Sequence, residues 1–191
     1  MSSEVSKKIK DLIEKYGSND YIGENISQKE HYLQCAMLAE DDNCDTEVII
    51  GALLHDIGHL ISIENKLEQI GVYGAKNHEK IGYDFAIYYK FGEKIAHLIE
   101  YHVQTKRYLV TTDDNYYNNL SDASKKTLEK QGKIMSEQEI IEFKNNPYFK
   151  DDLKIRDYDD KAKIENIKLK SLDHYLNIID NYIVNIPTIA L

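Results

Sequence analysis

The chain has 191 residues and a formal charge of −9, with two cysteines, two prolines and no tryptophan. The acidic balance argues against non-specific nucleic-acid binding, which needs a basic surface, and two cysteines are too few for a disulfide framework. The N-terminal residues lack the apolar segment of a signal peptide, and no apolar stretch approaches transmembrane length. We therefore expect a single cytoplasmic domain over residues 1–191, with no membrane, nucleic-acid or protein partner.

Apolar residues recur at helical spacing along most of the chain, and no segment shows the alternation of a strand. S-x-x-E capping boxes open two of the helices, at Ser27 with Glu30 and at Ser136 with Glu139. The fold class predicted from this pattern is all-α. The predicted helices lie at about 3–16, 28–41, 45–57, 77–90, 92–106, 121–131, 136–145, 148–155 and 171–183.

The third predicted helix contains the most informative stretch, the sequence ALLHDIGH at 52–59. Its apolar run carries the adjacent His55 and Asp56 into the interior. Gly58 is expected to end this helix, with His59 just beyond the end. Residues 60–76 are then expected to form a loop or lid, and residues 107–120 an irregular segment rich in Tyr, Asn and Thr.

Four of the seven histidines lie on different predicted helices or helix ends, and they are separated by 24, 23 and 24 residues: His31, His55, His78 and His102. Antiparallel helices bring the chain back to the same level at such intervals, so the four side chains can converge in a bundle core. The Asp56 carboxylate can bridge two metals, and an acidic residue from the C-terminal third would complete the site. Imidazole and carboxylate without thiolate favour Fe, Mn, Zn or another borderline metal over a structural zinc.

Some chemically capable residues fall outside this pattern. His97 and His174 are expected to be structural, because a lone histidine on an apolar face is usually a satisfied packing residue. Cys35 lies one helical turn from His31, and we expect it to be a small apolar packing residue rather than a ligand. Arg107 is one of only two arginines. It is adjacent to Lys106, so on a helix its side chain would point in a different direction, and it too is expected to be structural.

The order H…HD…H…H…D resembles the HD-domain superfamily, whose fold is an all-α helical bundle. Two branches use such ligands, the metal-dependent phosphohydrolases and the mixed-valent diiron oxygenases. The chain resembles the oxygenases of organophosphonate catabolism over nearly its whole length and, more distantly, myo-inositol oxygenase. The most specific segments are Tyr-x-x-Glu at 21–24, Lys-Arg-Tyr-Leu-Val at 106–110 and Ser-Asp-Ala-Ser at 121–124. The resemblance also includes Gly-Val-Tyr-Gly at 71–74 and Leu-Lys-Ile-Arg at 153–156.

The resemblance implies two Fe ions, an Fe(II)/Fe(III) mixed-valent pair that shares Asp56. One iron would take His31, His55, Asp56 and Asp159, and the other would take Asp56, His78 and His102. Asp159 is the expected ligand because it follows Arg156 by three residues, as the family pattern implies. Its neighbours Asp157 and Asp160 are expected to form a solvated acidic turn.

A phosphonate is a compact anion, which Lys holds as a point charge and Arg by a bidentate contact. Lys106 follows His102 by four residues, so on a helix it lies one turn along the same face. We predict Lys106 and Arg156 as substrate-binding cations. Three further residues, His59, Ser124 and Thr127, are predicted to contact the substrate as hydrogen-bond donors or at a helix N-terminus. A fourth, Glu24, is predicted to contact the substrate from the lid that the resemblance implies.

The resemblance also implies the chemistry. Tyr21 of the lid would occupy an iron position until substrate arrives, and Glu24 would meet the substrate's ammonium group. The reaction would use O2 to cleave the C–P bond of 1-hydroxy-2-aminoethylphosphonate, giving glycine and phosphate, with the trimethylammonium analogue, which gives glycine betaine, left open. Two alternatives remain: an HD phosphohydrolase with the same ligand types, and an inactive HD module, which predicts lost ligands although all six are present.

Overall fold

The structure, a computed structural model, describes residues 2–21, 23–69 and 74–185. No strand forms in these ranges, and two isolated β-bridges join Asp20 to Ser27 and Gln69 to Ala75. The all-α prediction is confirmed. The described helices are α1 (Glu4–Tyr16), α2 (Gln28–Asp41), α3 (Thr46–Leu54), α4 (Ile57–Glu64), α5 (His78–Tyr88), α6 (Glu93–Thr112), α7 (Asp114–Asn119), α8 (Asp122–Lys130), α9 (Glu137–Lys144), α10 (Phe149–Lys161) and α11 (Leu172–Asn185).

Helix starts follow the capping signals in the sequence. Ser27 and Glu30 form the expected capping box at the start of α2. The side chain of Asp45 accepts a hydrogen bond from the Val48 backbone N–H at 3.0 Å and begins α3. Each such cap stabilises the helix by about 1 kcal/mol, so these residues place the start of α2, which carries His31, and the start of α3, which leads into His55.

Helix α3 is the centre of the core. Every residue from Val48 to Leu54 is buried, and α3 packs against α2, α6, α10 and α11. Helices α4, α5 and α6 continue the bundle on one side, and α1 covers α4. Of the helices described, none alone has the length and apolar content to span a membrane, although α3 and α4 taken together, bent by 44°, pass on length and composition alone.

The structure corrects the prediction for the third helix. Helix α3 ends at Leu54, and α4 begins at Ile57, so His55 and Asp56 form a turn between two helices. Gly58 does not end a helix and lies in the first turn of α4. A Cβ atom on Gly58 would stand 1.9 Å from the His78 carbonyl oxygen, so the residue is glycine because α4 and the start of α5 approach closely. The prediction of a loop over 60–76 was wrong for residues 60–64, which belong to α4.

Two more boundaries differ from the prediction. Most of residues 107–120 are helical rather than irregular, because α6 continues to Thr112 and α7 begins at Asp114. The predicted helix at 148–155 continues to Lys161 as α10. Ile22 and the segment 71–73, which carry part of the resemblance, lie outside the described residues, and the single domain over 1–191 stays a prediction.

Candidate metal centre

Four helices and one turn bring the predicted ligands together. The turn between α3 and α4 carries His55 and Asp56, α2 carries His31, and α10 carries Asp159. His78 is the first residue of α5, and His102 lies in the middle of α6. All six of these side chains are buried, so the sequence separations of 24, 23 and 24 residues correspond to convergence in the core.

The four histidines form two pairs. The Nε2 atoms of His31 and His55 lie 3.2 Å apart, and those of His78 and His102 lie 3.0 Å apart. Two nitrogens bound to one metal at about 2.0–2.1 Å would stand about 3.0–3.4 Å apart in adjacent coordination positions. Each pair therefore has the spacing of two ligands to a common ion.

Proton positions support the same interpretation. The Nδ1 atoms of His31, His55 and His102 lie 2.7–2.9 Å from the carbonyl oxygens of Ala162, Ala52 and Ile99. A carbonyl can only accept, so each Nδ1 carries the proton and the neutral ring leaves a lone pair on Nε2. Between His31 and His55, two such lone pairs would face each other across 3.2 Å, which is unfavourable unless a proton or a metal cation lies between them. The donor set fits a metal.

Asp56 lies between the two pairs. Its Oδ1 is 3.2 Å from His78 Nε2 and 3.3 Å from His102 Nε2, whereas its Oδ2 is 3.4 Å from His55 Nε2. Burial opposes ionisation, but His55, His102 and His78 outweigh it and lower the pKa of Asp56. One ionised carboxylate thus presents one oxygen to each pair, which is the arrangement of a bridging ligand.

Asp159 completes the pair formed by His31 and His55. Its Oδ1 lies 3.5 Å from His31 Nε2, and its Oδ2 lies 3.9 Å from His55 Nε2. Burial would raise the pKa of Asp159, but Arg156 and then His55 lower it. Of the two neighbours, Asp157 is exposed, as expected. Asp160 is not a solvated turn residue, because it pairs with Arg156 and accepts a hydrogen bond from Tyr116.

Charge balance in this half of the site calls for a cation. Burial lowers the pKa of His31 to about 4. His55 is buried as well, but Asp56 and then Asp159 raise its pKa to about 9. Without metal, the pair would hold one proton on His55 to balance the two carboxylates. A metal cation would take the place of that proton.

Tyr21 lies directly on this half of the site. Its hydroxyl donates to Asp159 Oδ1 at 3.1 Å and to Asp56 Oδ2 at 3.3 Å. The Tyr21 ring stacks on His31 with a centroid distance of 3.7 Å. Burial, and then the Asp159 and Asp56 carboxylates, raise the pKa of Tyr21, so the phenol stays protonated and donates.

His59 has the opposite tautomer to His31, His55 and His102. The backbone N–H of Ala75 donates to His59 Nδ1 at 3.0 Å, so the proton of the neutral ring is on Nε2. Burial, and then His78, lower the pKa of His59, so the ring is neutral. Its Nε2 is a hydrogen-bond donor close to Asp56 Oδ1, at 3.8 Å, rather than a lone pair available for a metal.

A cavity of about 490 Å³ opens onto the centre, and its lining includes all of the predicted substrate-binding residues. Lys106 is 4% exposed, and its Nζ donates to Thr127 Oγ1 at 3.0 Å. Burial, and then Arg156, lower the pKa of Lys106 to about 7. The Thr127 hydroxyl donates to the Ser124 carbonyl, so a lysine and the start of α8 face the same space.

Arg156 is held by carboxylates. Its guanidinium pairs with Asp159 and, through Nε and Nη2, with Asp160. A guanidinium has five N–H groups, so donors remain for a substrate, but its first effect is to orient Asp159.

Sequence reasoning missed Lys163, which also lines the cavity. Its Nζ lies 3.4 Å from Glu24 Oε1 and donates to Ser124 Oγ at 3.5 Å. Lys163 follows Asp159 by four residues, but it lies beyond the end of α10 at Lys161, so helical spacing does not point to it. Glu24 therefore lines the cavity as expected, but it is paired with a lysine.

The residues expected to be structural have partners elsewhere. His97 Nε2 lies 3.1 Å from Asp152 Oδ2, and His174 Nε2 lies 3.0 Å from Glu40. Arg107 donates to the carbonyls of Lys133 and Ile134. Cys35 is buried with its Sγ 3.7 Å from His31 Nε2, so it also stands within reach of a metal between His31 and His55.

Comparison with known proteins agrees with this geometry. The HD domain family matches residues 29–141. Uncharacterized protein L432 of Acanthamoeba polyphaga mimivirus is 45% identical over 172 residues, which cover 90% of this chain and 78% of that protein.

Two similar proteins carry names that state an activity. The hydroxymethylphosphonate dioxygenase of Gimesia maris is 36% identical over 165 residues, 86% of this chain and 81% of that enzyme. The [1-hydroxy-2-(trimethylamino)ethyl]phosphonate dioxygenase (glycine-betaine-forming) of Leisingera caerulea is 32% identical over 177 residues, 90% of this chain and 87% of that enzyme. Both matches extend over most of each chain.

Proposed function

The chain belongs to the HD-domain family and is a dioxygenase with a metal-binding site, and we propose that it cleaves the C–P bond of a small 1-hydroxyphosphonate at a pair of iron ions. The proposed reaction consumes one O2. It converts R–CH(OH)–PO3H2 into the carboxylic acid R–COOH and phosphoric acid, so that all atoms balance. With an aminomethyl group as R the product is glycine, as the resemblance implies, and with a trimethylammoniomethyl group it is glycine betaine.

We assign the ligands as the sequence predicts. His31, His55 and Asp159 would hold one iron, His78 and His102 the other, and Asp56 both. Bound iron, in its Fe(II)/Fe(III) form, supplies the activation of dioxygen. The close approach of the Nε2 atoms in each pair and the two-sided Asp56 carboxylate support this assignment.

The single observation that carries the substrate class is the set of groups facing the cavity beside this donor set. Burial removes most of the water around the Lys106 ammonium group, and a compact dianion bound beside it would compensate its positive charge. The Ser124 hydroxyl near the start of α8 adds a donor that suits a phosphonate oxygen, and Thr127, whose own proton is bonded to the Ser124 carbonyl, orients the Lys106 ammonium. His59 Nε2–H donates to a further oxygen of the substrate.

Tyr21 controls access in this proposal. Its hydroxyl bonds to Asp56 and Asp159, so it covers the half of the site where the substrate hydroxyl would bind. Substrate binding would displace Tyr21 from the two carboxylates, and the lid that carries Tyr21 would then exclude water from the reacting carbon. Arg156 keeps Asp159 ionised and oriented throughout.

The decisive experiment loads the purified protein with Fe(II) and follows oxygen uptake and phosphate release with 1-hydroxyphosphonates. We expect one phosphate for each O2 consumed. Oxygen-independent hydrolysis of a phosphate ester, without oxygen uptake on any 1-hydroxyphosphonate, would refute the proposal in favour of a phosphohydrolase.

The metal assignment has its own test. Asp56→Ala removes the ligand shared by both ions and should abolish iron binding, as measured by elemental analysis. Iron content equal to that of the wild-type protein would refute the assignment, whatever the activity.

A further inference from the structure

Lys163 is a cation built into the wall of the cavity. Its side chain is 16% exposed, although it lies beyond the end of α10 in a segment without regular structure. A long side chain on such a segment loses considerable rotamer freedom when it is held in one place. Its placement therefore needs a structural cause.

The backbone on both sides of Lys163 is held by buried side chains of α2. The carbonyl of Ala162, the preceding residue, accepts a hydrogen bond from His31 Nδ1 at 2.9 Å. Ile164, the following residue, makes two hydrogen bonds of 3.0 Å with the Gln34 side-chain amide, one through its N–H and one through its carbonyl. Lys163 is thus positioned by the same histidine that contributes to the metal centre.

Lys163 contacts Glu24, an acidic residue that lies just before α2 and also lines the cavity. Its Nζ is 3.4 Å from Glu24 Oε1, and that oxygen is buried and accepts no hydrogen bond from any residue that the structure describes. A second contact, from Asn25 Nδ2 to Glu165 Oε1 at 3.0 Å, joins the same two segments. The negative charge of Glu24 is therefore already balanced by a fixed cation.

We propose that Lys163 determines substrate specificity by neutralising Glu24, so that the enzyme selects a 1-hydroxyphosphonate whose C1 substituent carries no positive charge. A substrate ammonium group near Glu24 would stand beside the lysine, and like charges held close together are strongly unfavourable in a partly desolvated site. Hydrogen or a short alkyl group on C1 meets no such repulsion. This inference rests on the proposed function and narrows its substrate class.

The test compares four substrates that differ only in the C1 substituent: hydroxymethylphosphonate, 1-hydroxyethylphosphonate, 2-amino-1-hydroxyethylphosphonate and its trimethylammonium analogue. We expect the wild-type enzyme to prefer the first two in kcat/KM. Lys163→Met should raise kcat/KM for the cationic substrates relative to the uncharged ones by about 10- to 100-fold. Lys163→Arg keeps the charge and should keep the wild-type preference.

A matched control is available at the mouth of the same cavity. Lys76 also lines the cavity and also pairs with a glutamate, Glu68 at 3.2 Å, but both side chains are exposed. Lys76→Met should leave the ratio between cationic and uncharged substrates unchanged. An equal change in that ratio for Lys76→Met and Lys163→Met would mean that only overall charge matters, and it would overturn the proposal.

Other outcomes separate this inference from the proposed function. Equal losses of affinity for all four substrates in Lys163→Met would show that Lys163 binds the phosphonate itself. Unchanged affinities, with an unchanged ratio between cationic and uncharged substrates, would show an incidental ion pair. Either result overturns the inference while turnover stands. If no substrate is turned over, the proposed function fails. Calorimetric titration of the iron-loaded protein with the same four compounds without oxygen then tests the charge preference alone.

Discussion

Lys106→Met should stabilise the metal-free protein while weakening phosphonate binding. Burial, and then Arg156, lower the pKa of Lys106 from 10.5 to about 7, which corresponds to about 5 kcal/mol of folding free energy at about 1.4 kcal/mol per pH unit. The lost hydrogen bond to Thr127 is worth about 1.5–3 kcal/mol. We therefore expect a net gain of about 2–3 kcal/mol, because methionine fills similar space without the buried charge.

The gain has a defined pH dependence. Below pH 7 the lysine is protonated in both the folded and the unfolded protein, so the full penalty of the buried charge acts on the wild type. Between pH 7 and 10.5 the unfolded chain binds more protons than the folded one, so wild-type stability rises with pH and the advantage of Lys106→Met shrinks. Above pH 10.5 the advantage disappears.

Urea unfolding of the metal-free proteins at pH 6 and pH 9 measures this directly. The same variant, loaded with iron, should bind phosphonates about 10- to 100-fold more weakly, because one charge-assisted hydrogen bond is missing. Lys130→Met is the control, since Lys130 lines the cavity but is exposed, and its effect should stay within about 0.5 kcal/mol. A Lys106→Met protein that is less stable than the wild type at pH 6 would refute the reasoning.

Three further substitutions test the centre. Asp159→Ala should reduce bound iron from two ions towards one, because Asp56 and the second histidine pair remain; elemental analysis measures this. Tyr21→Phe keeps the ring stack but loses the hydroxyl, so oxygen consumption without substrate should rise several-fold in an oxygen electrode. Gly58→Ala places a Cβ against the His78 carbonyl. It should lower the free energy of unfolding by about 3 kcal/mol and reduce iron binding. Urea unfolding and elemental analysis of one preparation measure the two effects.

Each of these substitutions has a comparison in the chain. Asp157→Ala, on the exposed side of α10, should keep both irons, and equal losses for the two aspartates would contradict the ligand assignment. Substrate-free oxygen uptake that is unchanged in Tyr21→Phe would mean that the hydroxyl does not protect the centre. For glycine, the atoms nearest to a Cβ in Gly51→Ala belong to the Leu98 side chain, at 3.1 Å, so this substitution should destabilise less and retain iron.

The histidine positions were predictable because their spacing reflects a regular property of helical bundles. A helix and its loop return the chain to the same level, so residues about 24 positions apart on successive antiparallel helices meet in the core. Asp159 could not be chosen in this way, since three acidic residues lie within four positions and only the family resemblance distinguished it. The structure brings Asp159 to His31, but binding of metal there stays a prediction.

Lys163 was beyond the reach of sequence patterns for a physical reason. Its segment has no regular structure, and its path depends on hydrogen bonds to His31 and Gln34, which are about 130 positions away in the chain. Helical periodicity describes local geometry and contains no information about such contacts. The residue that we propose to control specificity is therefore one that a motif search does not find.

The break between α3 and α4 explains how two adjacent residues serve one centre. On a continuous helix, successive side chains point about 100° apart, so His55 and Asp56 could not both face the same site. The turn at Asp56, with φ −104° and ψ 10°, ends this constraint, and it places the Asp56 carboxylate 3.4 Å from His55 Nε2. The same turn begins α4, which brings His59 to the cavity with its Nε2 proton available. A substitution that restored a continuous helix here would therefore separate the two ligands and remove the donor together.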